Sequence, residues 1–242
     1  MKALVLGATS AVGKALSILY AQAGYDLILS SRKPTKLEPL KKDLELRFSI
    51  AVTLISLEAA AFESHSSILQ PLANELDVAI CIFGYLGDQT LAQSNFEETQ
   101  AIINANYTGA VSVLNIISDA FEARKSGLII GVSSVAGARG RQSNYIYGSA
   151  KAGFTAYLSG LRNRLFQSDV HVLTVIPGFM FTKMTEGMSL PKPITATATT
   201  AAKHIFKAAQ KRKNCIYVLP IWWLIMLLIK SIPEFIFKRL NL

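Results

Sequence analysis

The stretch Ala3-Leu-Val-Leu-Gly7-Ala-Thr-Ser-Ala-Val-Gly13-Lys-Ala-Leu16 decides how the rest of the chain is read. Its first four residues form an apolar run, closed by glycine, of the length expected of a buried parallel strand. From Ala11 to Ala23 the apolar residues recur at helical spacing. A strand that runs through a glycine-bearing turn into a helix presents unpaired N–H groups and a positive dipole, which suit a pyrophosphate. Such a turn also occurs without a ligand, so it does not decide the matter alone. Ala11 stands where the commonest pattern has its middle glycine, which is tolerable if its φ is negative.

Moving outward, short apolar runs at Leu27–Leu29, Ala51–Ile55, Val78–Ile82, Leu128–Val132, Val170–Ile176 and Ile216–Leu219 read as further strands. Between them Thr35–Arg47, Glu97–Ala123, Tyr145–Gln167 and Thr195–Lys211 show helical periodicity. Alternation of this kind predicts a single Rossmann-type, doubly wound α/β domain with a seven-stranded parallel sheet, followed by a C-terminal apolar helix. The expected division is residues 1–219 for the domain and 220–242 for the appendage. No repeat, linker or low-complexity segment interrupts it. At 242 residues and 51% apolar composition, the chain is long enough to bury a large core. The opening apolar run breaks at Gly7, short of the ~7–15 residues of a secretory h-region, so it is read as a strand. Two cysteines, Cys81 and Cys215, without metal-site spacing point to a reducing, cytoplasmic setting and to no metal.

Ligands in such sheets bind beyond the carboxyl ends of the strands. After the second strand comes Ser30-Ser31-Arg32, with no carboxylate to hold a ribose 2′-hydroxyl. A hydroxyl and a guanidinium suit a 2′-phosphate, favouring NADPH over NADH; the bland alternative is an arginine opening a solvated loop. Tyr147 and Lys151 are four apart in an expected helix and share a face. Ser134 follows the strand Leu128–Val132, and Asn106 lies inside the preceding long helix. A tyrosine of pKa ~10 cycles near neutrality only beside a cation, and Lys151 lies one helical turn away.

Together, Gly7-x-x-x-Ala11-x-Gly13, Asn106, Ser134, Tyr147-x-x-x-Lys151 and Pro177-Gly178-x-x-x-Thr182 resemble the short-chain dehydrogenase/reductase family. The likeness covers the chain to about Leu219. It implies an NADP(H)-dependent reductase acting on a ketone. Tyr147 would be the acid/base, with Lys151 lowering its pKa and holding the nicotinamide ribose. Ser134 would orient the carbonyl, and Asn106 would anchor a relay water. Cofactor contacts are implied for Gly7, Thr9, Ser10, Ala11, Val12, Gly13, Ser31, Arg32, Leu57, Phe83, Gly84, Lys151, Pro177, Gly178 and Thr182. The family often carries Asn-Asn-Ala-Gly where Cys81-Ile-Phe-Gly84 stands, and an aspartate where Ser56-Leu57 stands.

Net charge is +9, and from Ala202 onward eight Lys/Arg face the single acid Glu234. No stacking aromatics are interleaved with these charges, which argues against nucleic acid. Ile221–Ile229 has no polar side chain and holds the only two tryptophans, Trp222 and Trp223. Nine helical residues at ~1.5 Å each reach about 14 Å, against a ~30 Å hydrocarbon core, so the segment is too short to span. With Lys230, Lys238 and Arg239 near by, it suits a peripheral anchor on the inner face of a membrane; packing within the domain or in a homo-oligomer interface is the alternative. Gly84–Gln89 and the tail (Trp222, Pro233, Phe235, Lys238, Arg239) resemble the reductases acting on decaprenylphosphoryl 2-keto-pentose, which implies a polyprenyl-phosphate-linked ketone. Two other readings stand beside it: a soluble ketoreductase on a small or acyl-carrier-bound substrate, and a non-catalytic nucleotide-binding module.

Overall fold

The computed structural model describes residues 1–182, 185, 187 and 189–240. The last two positions of the expected appendage, 241–242, lie outside them. Seven parallel strands form the main sheet: β1 (Lys2–Leu6), β2 (Asp26–Ser31), β3 (Val52–Ser56), β4 (Val78–Cys81), β5 (Gly127–Val132), β6 (Val170–Ile176) and, after a small ribbon, β9 (Cys215–Tyr217). Their order is β3-β2-β1-β4-β5-β6-β9. The ribbon pairs β7 (Phe179–Phe181) with β8 (Thr195–Thr197).

Alternation along β1 shows why the strands are apolar on both faces. Ala3 and Val5 enter one core with residues of α1 (Ala11–Gln22), α2 (Glu38–Phe48) and α8 (Ala198–Gln210). Leu4 and Leu6 enter the other, against α3 (Phe62–Ala73), α6 (Gly109–Arg124) and α7 (Tyr145–Leu165). Both sides of the sheet are therefore covered, as parallel sheets require. Phe121 and Phe154 are the largest fully buried side chains, and each such residue contributes ~1.5–3 kcal/mol by leaving water. The chain leaves β1 for β2 and β3 on one side, then returns to β4 on the other. That reversal opens a crevice at the carboxyl ends of β1 and β4.

The structure departs from the expected elements in three places that matter for the site. After the short α4 (Gln89–Ser94), the helix expected over Glu97–Ala123 is three pieces: α5 (Phe96–Ile103), a π-turn at Asn104–Thr108, and α6. Gly109 N–H donates to Asn104 O, five residues back. The wide turn suits Asn106, whose Nδ2 donates to Ile102 O at 2.8 Å. Thr195–Thr197, expected to open a helix, is strand β8. Alternating β-branched threonines pair with β7, and the Thr197 hydroxyl then caps α8 by accepting from Thr200 N–H at 3.1 Å. Finally, Thr35–Arg47 begins as a 3₁₀ turn over Pro34–Leu37, and α2 starts only at Glu38, with Pro39 in its first turn, where a missing N–H costs nothing.

The apolar tail is α9 (Ile221–Ser231), followed by α10 (Glu234–Phe237). α9 is two residues longer than expected and is buried on one side only. Trp222 and Met226 are buried, whereas Trp223, Leu224, Leu227 and Leu228 are exposed. Adjacent helical residues point about 100° apart, as 3.6 residues per turn dictates, so the two tryptophans part company.

Candidate active site

The glycine turn is built for close approach. Gly7 has φ +89°, and a Cβ there would lie 2.9 Å from Phe83 N, at the exit of β4. Ser10 caps α1, accepting from Gly13 N–H at 3.0 Å and donating to Gly7 O at 2.9 Å. A Cβ on Gly13 would sit 2.6 Å from Gly7 O, so both glycines are required by contact. Ala11 is the first residue of α1, with ordinary helical φ, so its methyl is tolerated. The first-turn amides of Ala11 and Val12 have no preceding carbonyl to bond. The Val12 side chain is buried in the core, while Thr9 is exposed.

At the end of β2, Ser31 is buried and its Oγ has no hydrogen-bond partner. Arg32 is exposed and faces Glu58, Nε to Oε2 3.7 Å. Leu57 turns its side chain into the core, and its N–H donates to Ser31 O at 3.1 Å. What Leu57 offers a ligand is therefore backbone. Glu58 escaped notice in the sequence because one acid after a strand has no distinguishing spacing.

The second group converges beyond β4 and β5. Lys151, on α7, is 3% exposed, and its Nζ donates to Val132 O at 3.1 Å. Ser133, also buried, donates to Lys151 O at 3.0 Å. A Cβ on Gly84 would lie 2.6 Å from Asn106 Oδ1 and 3.4 Å from Lys151 Nζ, so these three residues are in contact range. Asn106 also holds both sides of Tyr85, accepting from its N–H at 3.3 Å and donating to its carbonyl. The Tyr147 ring centroid is 5.9 Å from Lys151 Nζ. Ser134 Oγ accepts from Ala136 N–H at 3.1 Å.

Burial sets the electrostatics. It lowers the Lys151 ammonium from 10.5 to about 8, opposed by the neighbouring Cys81 sulfur. Burial also raises the Cys81 thiol to about 12, with Lys151 pulling it down. The Tyr147 phenol is pushed up from 10.0 to about 12 by burial, and the Ser134 hydroxyl beside it lowers it. The group acting on the phenol is thus Ser134, while the Lys151 ammonium is turned toward Val132 O.

Three side-chain atoms among the described residues are buried without a partner: Ser31 Oγ, Gln89 Nε2 and Asn144 Oδ1. The last two flank the start of α7, where Gln89 Oε1 accepts from Ile146 N–H at 3.1 Å. This pair had no signal in the sequence. The far wall is the segment after β6. Pro177 O accepts from Val135 N–H at 3.0 Å. Gly178 lies directly under the Trp222 indole, where a Cβ would come within 1.9 Å of Cε2. Trp222 Nε1 donates to Ile194 O at 2.9 Å, and its ring meets Phe179 edge-on. Farther out, Thr182 N–H donates to Thr185 Oγ1 at 3.2 Å.

Over residues 1–192 the sequence matches the family model described as short chain dehydrogenase. An uncharacterised oxidoreductase of Mycobacterium tuberculosis is 31% identical over 242 residues, covering 98% of this chain and 96% of that protein. A 3-oxoacyl-[acyl-carrier-protein] reductase of Synechocystis is 30% identical over 190 residues, 77% of each chain. Among solved structures, a short-chain dehydrogenase from Sphingobium yanoikuyae in complex with NADPH matches with a TM-score of 0.83 at 20% identity and 96% coverage of both chains, a likeness of fold. The family match runs from the glycine turn past the Pro177 segment, and the chain belongs to the short-chain dehydrogenase family.

Proposed function

We propose that this protein is an NADPH-dependent carbonyl reductase whose substrate is a lipid-linked keto-sugar or other long-chain keto-lipid. The observation that carries the reading is the convergence of Ser134, Tyr147, Lys151 and Asn106 at one end of the sheet, with a lysine kept buried there. A buried ammonium held only by a backbone carbonyl is costly, and a fold retains one chiefly at a functional site.

The residues fit the dinucleotide. The Gly7–Gly13 turn packs so tightly on Phe83 and on itself that it carries no side chain at either glycine, leaving the α1 first-turn amides unscreened for a pyrophosphate, and the Ser31 hydroxyl is buried without a partner beside Arg32. A 2′-phosphate would give the Ser31 hydroxyl an acceptor and the Arg32 guanidinium an opposite charge, which supports NADPH over NADH. The Sphingobium enzyme of similar fold was solved with NADPH, in line with this choice. The bound nicotinamide supplies the hydride.

The chain's own residues handle the proton. Tyr147 keeps its proton at neutral pH, because burial holds the phenol well above 7, and presents it to the carbonyl oxygen. The Ser134 hydroxyl polarises the same oxygen and stabilises the phenolate that remains after transfer. Lys151 is a cation at pH 7 with a pKa of about 8. It holds ribose hydroxyls, and its nearness to neutrality lets it pass a proton on. Asn106, fixed by Ile102 O and Tyr85, anchors the water that returns protons to Lys151.

The tail supports the lipid-linked substrate. Its inner face packs on Gly178 and Phe179, whereas Trp223, Leu224, Leu227, Leu228 and Phe235 are exposed, as are Lys230, Lys238 and Arg239. Exposed apolar and basic groups together suit an anionic lipid interface. No described helix is long and apolar enough to cross a membrane, so residues 220–242 act as a peripheral appendage. Gln89 Nε2 and Asn144 Oδ1, a donor and an acceptor, would be satisfied by sugar hydroxyls. A second reading, a ketoreductase on an acyl-carrier-bound substrate with α9 as an interface between copies, is supported by the Synechocystis relative's name.

NADPH oxidation with a prenyl-phosphate-linked 2-keto-pentose in anionic vesicles, against a 3-oxoacyl thioester in buffer, tests the choice. The first should be turned over with the higher kcat/KM. Preference for the thioester, indifferent to vesicles, selects the second reading.

A further inference from the structure

The loop that begins at Ser134 is clamped from both sides. On the inside it lies against α7: a Cβ on Gly137 would be 2.6 Å from Ala152 N, and one on Gly148 would be 2.8 Å from Ala136 O. Both contacts require backbone against backbone, so the loop is pressed onto the helix carrying Tyr147 and Lys151. On the outside the loop ends at Arg139, whose side chain is only 15% exposed. One guanidinium nitrogen donates to Ile229 O at 2.7 Å and Ile232 O at 2.6 Å, and the other to Glu234 Oε2 at 2.8 Å. Its plane lies over Phe237, 3.6 Å from the ring centroid. Arg139 therefore caps the end of α9, complements the helix dipole there, and fastens α10.

We propose that Arg139 is a positioning residue: by tying the α9–α10 appendage to the Ser134 loop, it fixes the Ser134 hydroxyl against Tyr147. The inference rests on the roles given above to Ser134 and Tyr147. A guanidinium holds three acceptors in one rigid fork, which a lysine's single ammonium on a flexible stem does not reproduce. Val135 of the same loop packs with Trp222 and Met226 of α9, so the guanidinium and this apolar contact act at opposite ends of one short turn. Without Arg139 the turn stays seated on α7 through its glycines but loses its outer stop. Anything that docks on the outer face of α9 is then mechanically one residue from the catalytic hydroxyl, which makes the appendage part of the site's scaffold.

The test uses the full chain with the prenyl-phosphate-linked 2-keto-pentose and NADPH, comparing wild type, Arg139→Ala, Arg139→Lys and Tyr147→Phe. Turnover is expressed per NADPH-binding site, so that unfolded protein does not count. Arg139→Ala should lose kcat ~10- to 100-fold, the scale on which a misplacement of about 1 Å acts. KM and the NADPH Kd should stay within about twofold, because neither contact set includes Arg139. Arg139→Lys should recover only part of the loss, and it decides the matter if the alanine variant does not bind NADPH. Wild-type kcat per site in Arg139→Ala, or full recovery in Arg139→Lys, overturns the proposal. Retained turnover in Tyr147→Phe instead overturns the reading of the site itself, whatever Arg139 does.

Discussion

Replacing Ser31 by alanine should move two quantities in opposite directions. The hydroxyl is buried at the end of β2 with no partner, a state that costs ~1–3 kcal/mol relative to a solvated or bonded hydroxyl. Removing it from the free protein should therefore stabilise the fold. Taking the low end, about 1 kcal/mol, because neighbours relax, Tm should rise ~2–4 °C for a domain of this size. In the complex the same hydroxyl would donate to a 2′-phosphate, and a hydrogen bond to a charged group is worth ~1.5–3 kcal/mol. NADPH should then bind ~10- to 150-fold more weakly, while NADH, which lacks that phosphate, should bind as before. Thermal unfolding with and without each dinucleotide reads both effects, since a weaker ligand raises Tm less at fixed concentration. A lower Tm in the free variant, or equal losses for NADPH and NADH, would refute the assignment.

Three further outcomes follow from the geometry. Glu58→Gln frees Arg32 from its exposed partner at 3.7 Å. Such pairs are worth up to ~1 kcal/mol, so equilibrium fluorescence titration should show NADPH binding up to about fivefold tighter, with NADH unchanged. Lys151 has a folded pKa of about 8 against 10.5 unfolded, so between those values the unfolded state binds more protons and stability gained from this group rises with pH. The stability of wild type minus that of Lys151→Met, from urea titrations, should be flat below pH 8 and climb through about pH 10; a flat difference throughout contradicts the buried-cation account. Trp223→Glu combined with Leu227→Glu alters only exposed positions of α9 and should abolish flotation with anionic vesicles while leaving NADPH affinity intact; unchanged flotation would remove α9 as the contact.

Much of the sheet was legible because strands buried on two faces are mostly apolar: Ala3–Leu6 is nothing else, and Val170–Ile176 is broken only by His171 and Thr174. The glycine turn and the Tyr147–Lys151 spacing were legible for a related reason: contact geometry at Gly7 and Gly13 admits no side chain, and helical spacing brings residues four apart together. The rest depended on what helical periodicity does not encode. An insertion that widens one turn around Asn106 leaves the apolar pattern on both sides intact, so Glu97–Ala123 read as one helix. α3, with Pro71 inside it and a buried His65 held by Ser112 and Glu58 O, carried too mixed a face to stand out. The tail read as apolar all round because its outward face is as greasy as its inward one; only the packing of Trp222 and Met226 against Gly178, Val135 and Ile176 distinguishes them. Arg139 could not be singled out, since a lone arginine in a loop has no pattern and its three acceptors lie some ninety residues away.

Hydride transfer can be followed by isotope. NADPH deuterated at the transferring C4 position would be supplied to wild type and to Tyr147→Phe with the prenyl-phosphate-linked 2-keto-pentose, and the product alcohol examined by mass spectrometry. The account predicts one deuterium on the carbinol carbon with wild type and none above background with Tyr147→Phe, although both bind NADPH alike. Equal label transfer by the two proteins would contradict the role of Tyr147. NADPH binding by wild type without transfer to that ketone, to a 3-oxoacyl thioester or to simple ketones would contradict carbonyl reduction itself.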